Sequence, residues 1–107
     1  MKNAINPPAA AHGIRSTHRV LIARIQDLAL DINALPGRAV FVHFYGNASQ
    51  IDVRIFKGDW QQIENRTHRW DISLPRPDRL DAMSDEALNK LGDVVNAMEV
   101  ILKEATQ

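Results

Sequence analysis

The 107-residue chain contains no cysteine, which excludes disulfide bonds, thiolate metal ligands and a cysteine nucleophile. It also lacks an apolar run approaching the ~20 residues that a membrane-spanning helix needs. Its 13 basic and 13 acidic side chains leave no formal net charge, so strong nonspecific attraction to nucleic acid or to an anionic membrane is not expected. A cysteine-free chain without a membrane segment is typical of the reducing cytoplasm, where we expect this protein.

Motifs for bound ions, phosphates and cofactors are also missing. The five glycines are isolated, and none opens a helix after a predicted strand, so no phosphate-binding loop is expected. The four histidines do not have the spacing of a metal site with one another or with acidic residues. They are His12, His18, His43 and His68. We therefore predict no metal and no cofactor.

The clearest element that the sequence does contain is a β-hairpin at residues 38–56, RAVFVHFYGNASQIDVRIF. Apolar residues alternate with others along both halves, and a turn at Asn47-Ala48 brings the two apolar sets onto one face. The predicted register runs from Tyr45 opposite Gln50 to Val40 opposite Ile55. We expect the apolar face to be buried. It consists of Val40, Val42, Phe44, Ile51, Val53 and Ile55.

The opposite side of the hairpin, which we call the outer face, carries aromatic and charged side chains. A buried surface does not normally contain such a mixture unless the charged groups are paired. The outer face is therefore the candidate site for binding a partner. Its predicted members are Phe41, His43, Tyr45, Asp52, Arg54 and Phe56. The loop around Trp60, or the amino-terminal residues, could instead cover part of it.

Two helices and a third strand are predicted around the hairpin. Apolar residues three and four positions apart predict a helix from Ser16 to Leu35, and a short helical turn is expected at residues 60–65. Alternation over Thr67 to Leu74 predicts another antiparallel strand. A broad apolar stripe after Ser84, the predicted N-cap, indicates a final long helix.

These elements predict a single α+β domain over residues 14–107, in the order α-β-β-β-α. The three strands form an antiparallel meander, and the two long helices pack on one of its faces. Residues 1–13, MKNAINPPAAAHG, lack periodicity and contain two adjacent prolines. We expect them to form a flexible tail.

This element order, from Ser16 to Ala105, resembles that of the double-stranded-RNA-binding domain. That family grips RNA through a lysine-rich start of its second helix and a histidine-bearing loop between its first two strands. Here the second helix begins SDEALNK and the loop reads GNAS, so acidic groups stand where phosphate would approach. The resemblance implies the architecture and does not imply binding of double-stranded RNA.

Without a catalytic set, the sequence favours a small non-enzymatic protein that binds a protein partner or itself through the outer face or an exposed strand edge. Such a chain would suit an accessory protein encoded by a phage or mobile element. A first alternative is binding of single-stranded nucleic acid, with Phe41, Tyr45 and Phe56 stacking on bases beside Arg54 and, on the third strand, Arg69 as a further candidate. A second is a small hydrolase, because His43 opposite Asp52 is half of a catalytic constellation.

Overall fold

A computed structural model of the chain describes residues 16–45, 49–75 and 80–106. Its elements are α1 (Ser16–Asn33), β1 (Arg38–Tyr45), β2 (Gln50–Lys57), a 3₁₀ turn (Ile63–Asn65), β3 (Arg66–Ser73) and α2 (Leu80–Ala105). The strands form one antiparallel sheet in the order β1-β2-β3. The predicted α-β-β-β-α meander is confirmed. The predicted tail and the turn at Asn47-Ala48 lie outside the described residues.

The predicted register of the hairpin is also confirmed. Val40 lies opposite Ile55, and the pairing continues in step to Tyr45 opposite Gln50. β3 pairs with β2 so that Ile72 lies opposite Ile51. Because successive strand residues point to opposite faces, Ile72 joins the predicted apolar face of the hairpin, and we call this combined face the inner face.

Both long helices pack on the inner face and complete the core. Full burial of one valine, leucine, isoleucine or methionine side chain stabilises the fold by about 1.5–3 kcal/mol. The Arg24 guanidinium of α1 also lies 3.1 Å from the Glu99 carboxylate of α2 on the surface. The largest fully buried apolar side chains are Ile25, Leu28, Ile32, Ile51, Val53, Ile55, Ile72, Leu74, Leu91, Val94 and Met98. No described helix covers the outer face.

The expected burial of the inner face is incomplete towards the carboxyl end of β1, where Val42 is only half-buried. Phe44 is 55% exposed, because it stands on the edge strand near the carboxyl end of β1. There it lines a cleft of about 370 Å³ together with Ile22 and Leu74. α1 also ends earlier than predicted, at Asn33, and a left-handed Gly37 with φ of 72° turns the chain into β1.

The predicted N-cap of the last helix is wrong. α2 begins at Leu80, one turn before Ser84. Ser84 is only 1% exposed, and its main-chain oxygen lies 3.1 Å from Nε2 of the buried His18. Ser84 is thus an interior helix residue where α1 meets α2. Its environment is set by His18, a residue distant in sequence.

Candidate binding surface

The strands place all six predicted site residues on the outer face. Phe41 lies opposite Arg54 and His43 lies opposite Asp52 on the first two strands. The third strand adds two residues to the same face, since Arg69 lies opposite Arg54 and Asp71 lies opposite Asp52. Arg69 was a candidate from the sequence, and strand alternation alone would also have identified Asp71 as a member of this surface.

Three aromatic rings form a cluster at the end of the outer face where β1 begins. The Phe41 ring meets the Phe56 ring perpendicularly, with 5.7 Å between centroids, and it contacts Trp60 edge-on at 5.4 Å. Phe56 is 5% exposed, whereas Phe41 is 39% and Trp60 is 52% exposed. Phe56 is therefore a buried ring that packs against Phe41, and a partner would contact Phe41 and Trp60.

The loop before β3 holds Trp60 in this position. The Asp59 carboxylate accepts a hydrogen bond from the Gln61 main-chain N–H at 3.0 Å. Its main-chain oxygen accepts one from the Asn65 side-chain amide at 2.9 Å and another from the Gln62 N–H at 3.1 Å. These bonds close a compact loop, so Trp60 extends the outer face beyond the strands.

A cleft of about 370 Å³ lies within this aromatic end of the surface. Its walls are mainly apolar, and a single guanidinium stands among them. One member, Ile63, lies in the 3₁₀ turn and is 63% exposed, and no sequence pattern predicted its place at this surface. The lining residues are Phe41, Arg54, Phe56, Trp60, Gln61 and Ile63.

At the other end of the surface, His43 and Tyr45 stack on one another. Their ring centroids are 4.2 Å apart, and the ring planes differ by 16°. Both residues are exposed, with Tyr45 at 39%. A stacked pair held by a strand loses little conformational freedom on binding, which suits it to contact a partner.

A charged group separates the two aromatic ends. Asp52 is 5% exposed, and its carboxylate lies 3.0 Å from Nε of Arg54 and 3.9 Å from Nε of Arg69. The contact with Arg54 has the distance of an ion pair without hydrogen-bonding geometry. Arg69 also reaches Asp71 at 3.0 Å. Burial, and after it the neighbouring Asp71 carboxylate, raise the pKa of Asp52, while Arg54 and Arg69 partly oppose the shift.

These contacts decide what His43 and Asp52 can do together. They lie opposite each other, as predicted, but the Asp52 carboxylate contacts arginines, and no hydrogen bond joins it to His43 in the described part of the chain. Between residues 16 and 106, leaving aside the undescribed positions, no three metal-ligating side chains come together. The geometry therefore offers a contact surface and lacks the bond that orients a catalytic histidine.

Comparisons with known proteins return nothing similar: no family model, no curated protein and no solved structure matches this chain. Neither α1 nor the described part of α2 is long and apolar enough to cross a membrane. What the protein does must therefore be inferred from its own surface.

Proposed function

We propose that this chain is a small non-enzymatic binding protein of the cytoplasm that recognises a protein partner through the outer face. The observation that carries the proposal is the apolar cleft between Phe41, Trp60 and Ile63, with the exposed side of Arg54 at its wall. Exposed tryptophan, tyrosine and arginine around a central pocket are the residues that dominate binding energy in protein interfaces.

The charges at the cleft indicate the chemistry of the partner. Asp52 contacts Arg54 at Nε, and the side chain of Arg54 is 40% exposed. A partner that inserts an apolar side chain into the cleft and places a carboxylate beside it would therefore find a complementary guanidinium. We propose an acidic, apolar segment as the ligand, of the kind that an accessory protein of a phage or mobile element would recognise.

Single-stranded nucleic acid remains an alternative, because exposed rings and two arginines share the outer face. The two arginines are matched by two carboxylates, however, since Arg54 contacts Asp52 and Arg69 contacts Asp71. Phosphate would have to compete with these carboxylates on a chain of zero net charge. The surface thus favours a protein partner.

Affinity capture from lysate of the source organism tests the proposal. The wild type is compared with a Phe41→Ser/Tyr45→Ser variant and with a Leu30→Ser/Val100→Ser control. The control removes two exposed apolar side chains from the helices, where Leu30 is 72% and Val100 is 54% exposed. A protein held by the wild type and the control but lost from the outer-face variant is expected. Equal capture by all three would contradict the proposal.

A further inference from the structure

The amino-terminal half of the β1 edge is closed by a side chain. The Asn33 side-chain oxygen accepts a hydrogen bond from the Val40 N–H at 2.8 Å, and its NH₂ group donates to the Val40 carbonyl at 3.1 Å. Both main-chain groups of Val40 therefore point away from β2. Just before β1, the Gly37 carbonyl instead points towards the β2 side, since it accepts a hydrogen bond from the Gly58 N–H at 2.8 Å.

These two contacts fix the direction of every main-chain group in β1. Antiparallel strands alternate between residues that bond to the neighbour and residues that face away from it. Val40 faces away, so Val42 and Phe44 face away as well. Among the described residues, no group other than Asn33 bonds to this edge. Within the described part of the chain, the main-chain N–H and C=O groups of Val42 and Phe44 are thus available to another strand.

The side chains of β1 do not guard this opening. From Ala39 to Tyr45 the strand contains no charged residue and no proline, although such residues are the usual protection of an exposed edge. The opposite edge of the sheet, β3, carries the charged residues Arg66, Arg69 and Asp71. Only one edge of the sheet is therefore suited to pairing.

We propose that the β1 edge pairs antiparallel with the β1 edge of a second copy, with a two-fold axis at His43. Val42 then bonds with Phe44 of the second copy, and Phe44 with its Val42, so both open residues are used in full. An axis at Val42 would instead require the main chain of Val40, which Asn33 occupies. The symmetric contact closes at two copies, and zero net charge leaves no repulsion between them.

The register also matches the side chains. Phe41 of one copy comes opposite Tyr45 of the other on the outer face, and the exposed Phe44 comes opposite Val42 on the inner face. The outer faces of two copies join across a six-stranded sheet. The inference deepens the proposed function and rests on it in one respect, since Phe41, His43 and Tyr45 would contact both the protein partner and the second copy.

Engineered cysteines test this register in a chain that has none of its own. Residues at the axis face each other at a Cα separation of about 4.5 Å, within the range of a disulfide. The two copies of residue 41 lie about 14 Å apart along the strand, which is too far. Under mild oxidation at pH 8, His43→Cys should therefore form a covalent dimer at least about tenfold faster than Phe41→Cys or Tyr45→Cys. A mixture of Phe41→Cys and Tyr45→Cys should form the mixed disulfide.

His43→Cys that crosslinks no faster than Leu30→Cys, on the exposed side of α1, would overturn the proposal. A second measurement uses the unmodified strand: sedimentation of the wild type at up to about 1 mM, beside Phe44→Lys and a Val20→Lys control. The pairing predicts dimers of the wild type and the control, with Phe44→Lys shifted to monomer. A monomeric wild type would also overturn it. Crosslinking of His43→Cys without capture of a partner would support the dimer and count against the proposed function. Capture of a partner without crosslinking would support the proposed function and count against the dimer.

Discussion

The side chain of Asn33 and the main chain of Val40 form a reciprocal pair of hydrogen bonds, at 2.8 and 3.1 Å. Asn33 is the last residue of α1, and Val40 lies inside the first strand of the sheet. The asparagine thus takes the place of one residue of a neighbouring strand. It joins the helix to the sheet edge, and beyond Val40 no described residue bonds to that edge.

Removal of this side chain should cost stability. Asn33→Ala leaves the N–H and C=O of Val40, a residue 6% exposed, without these partners, and we expect the free energy of unfolding to fall by about 1–3 kcal/mol. Urea denaturation measures the change. Asn96→Ala, an exposed position on α2, serves as the control and should change it by less than about 0.5 kcal/mol. Equal effects of both substitutions would show that the pair contributes nothing.

Ser84→Ala separates the predicted helix start from the observed one. At an N-cap, this substitution would cost about 0.5–2 kcal/mol. In the structure, Ser84 lies inside α2, and its buried Oγ has no hydrogen-bond partner among the described residues. Alanine removes that unsatisfied group and is the better helix former. Thermal unfolding should therefore show an unchanged or higher melting temperature, and a clear decrease would place the cap at Ser84 after all.

Asp52 should make the stability depend on pH. Its pKa is raised above the ordinary value of 3.8, so the folded state holds the proton more tightly than the unfolded state does. The contribution to stability is therefore present below pH 3.8 and is lost as the pH rises through the folded-state pKa. The amide of Asp52→Asn does not titrate, so this variant does not lose the contribution. Its free energy of unfolding, relative to that of the wild type, should therefore be higher at pH 7 than at pH 3.

Denaturant unfolding at the two pH values measures this difference directly. Asp93→Asn, which removes an exposed carboxylate of α2, corrects for the change in net charge. The opposite sign, with Asp52→Asn losing stability relative to wild type as the pH rises, would mean that Arg54 and Arg69 outweigh burial at this site.

Oligonucleotide titration decides between the two kinds of partner. If single-stranded nucleic acid bound the outer face, Phe41→Ala and Tyr45→Ala would each weaken it by about 1–3 kcal/mol, and affinity would fall as salt rises. Because Asp52 and Asp71 accompany the arginines, we expect no binding of mixed-sequence oligonucleotides at low salt by fluorescence anisotropy. Tight binding that weakens in Phe41→Ala would support the nucleic-acid alternative.

The sequence was sufficient for the hairpin because its two strands repeat the same alternation, and a slip of one residue would put Val40 and Ile55 on opposite faces. It was insufficient where a distant contact decides the outcome. Serine is a common N-cap residue, yet the environment of Ser84 is set by His18, 66 positions away in the chain. The pairing of Asn33 with Val40 likewise depends on the path of the turn at Gly37, which local residue preferences do not specify.

The candidate site was predicted in the same uneven way. Alternation located Phe41, His43 and Tyr45 on one face, because that property is local. Phe56 is 5% exposed and its ring packs against that of Phe41, and this burial is a property of the folded chain that alternation does not specify. Two of the six predicted residues, Asp52 and Phe56, are buried beneath the surface that a partner could contact.

The most direct test of the central claim is the dissociation constant of a captured partner, measured by calorimetry for Tyr45→Ala and Leu30→Ala. Both substitutions remove exposed apolar area, but only Tyr45 belongs to the outer face. We predict a loss of about 2 kcal/mol or more, some 30-fold in affinity, for Tyr45→Ala and less than about 0.5 kcal/mol for Leu30→Ala. Equal losses, or a larger loss for Leu30→Ala, would contradict recognition through the outer face.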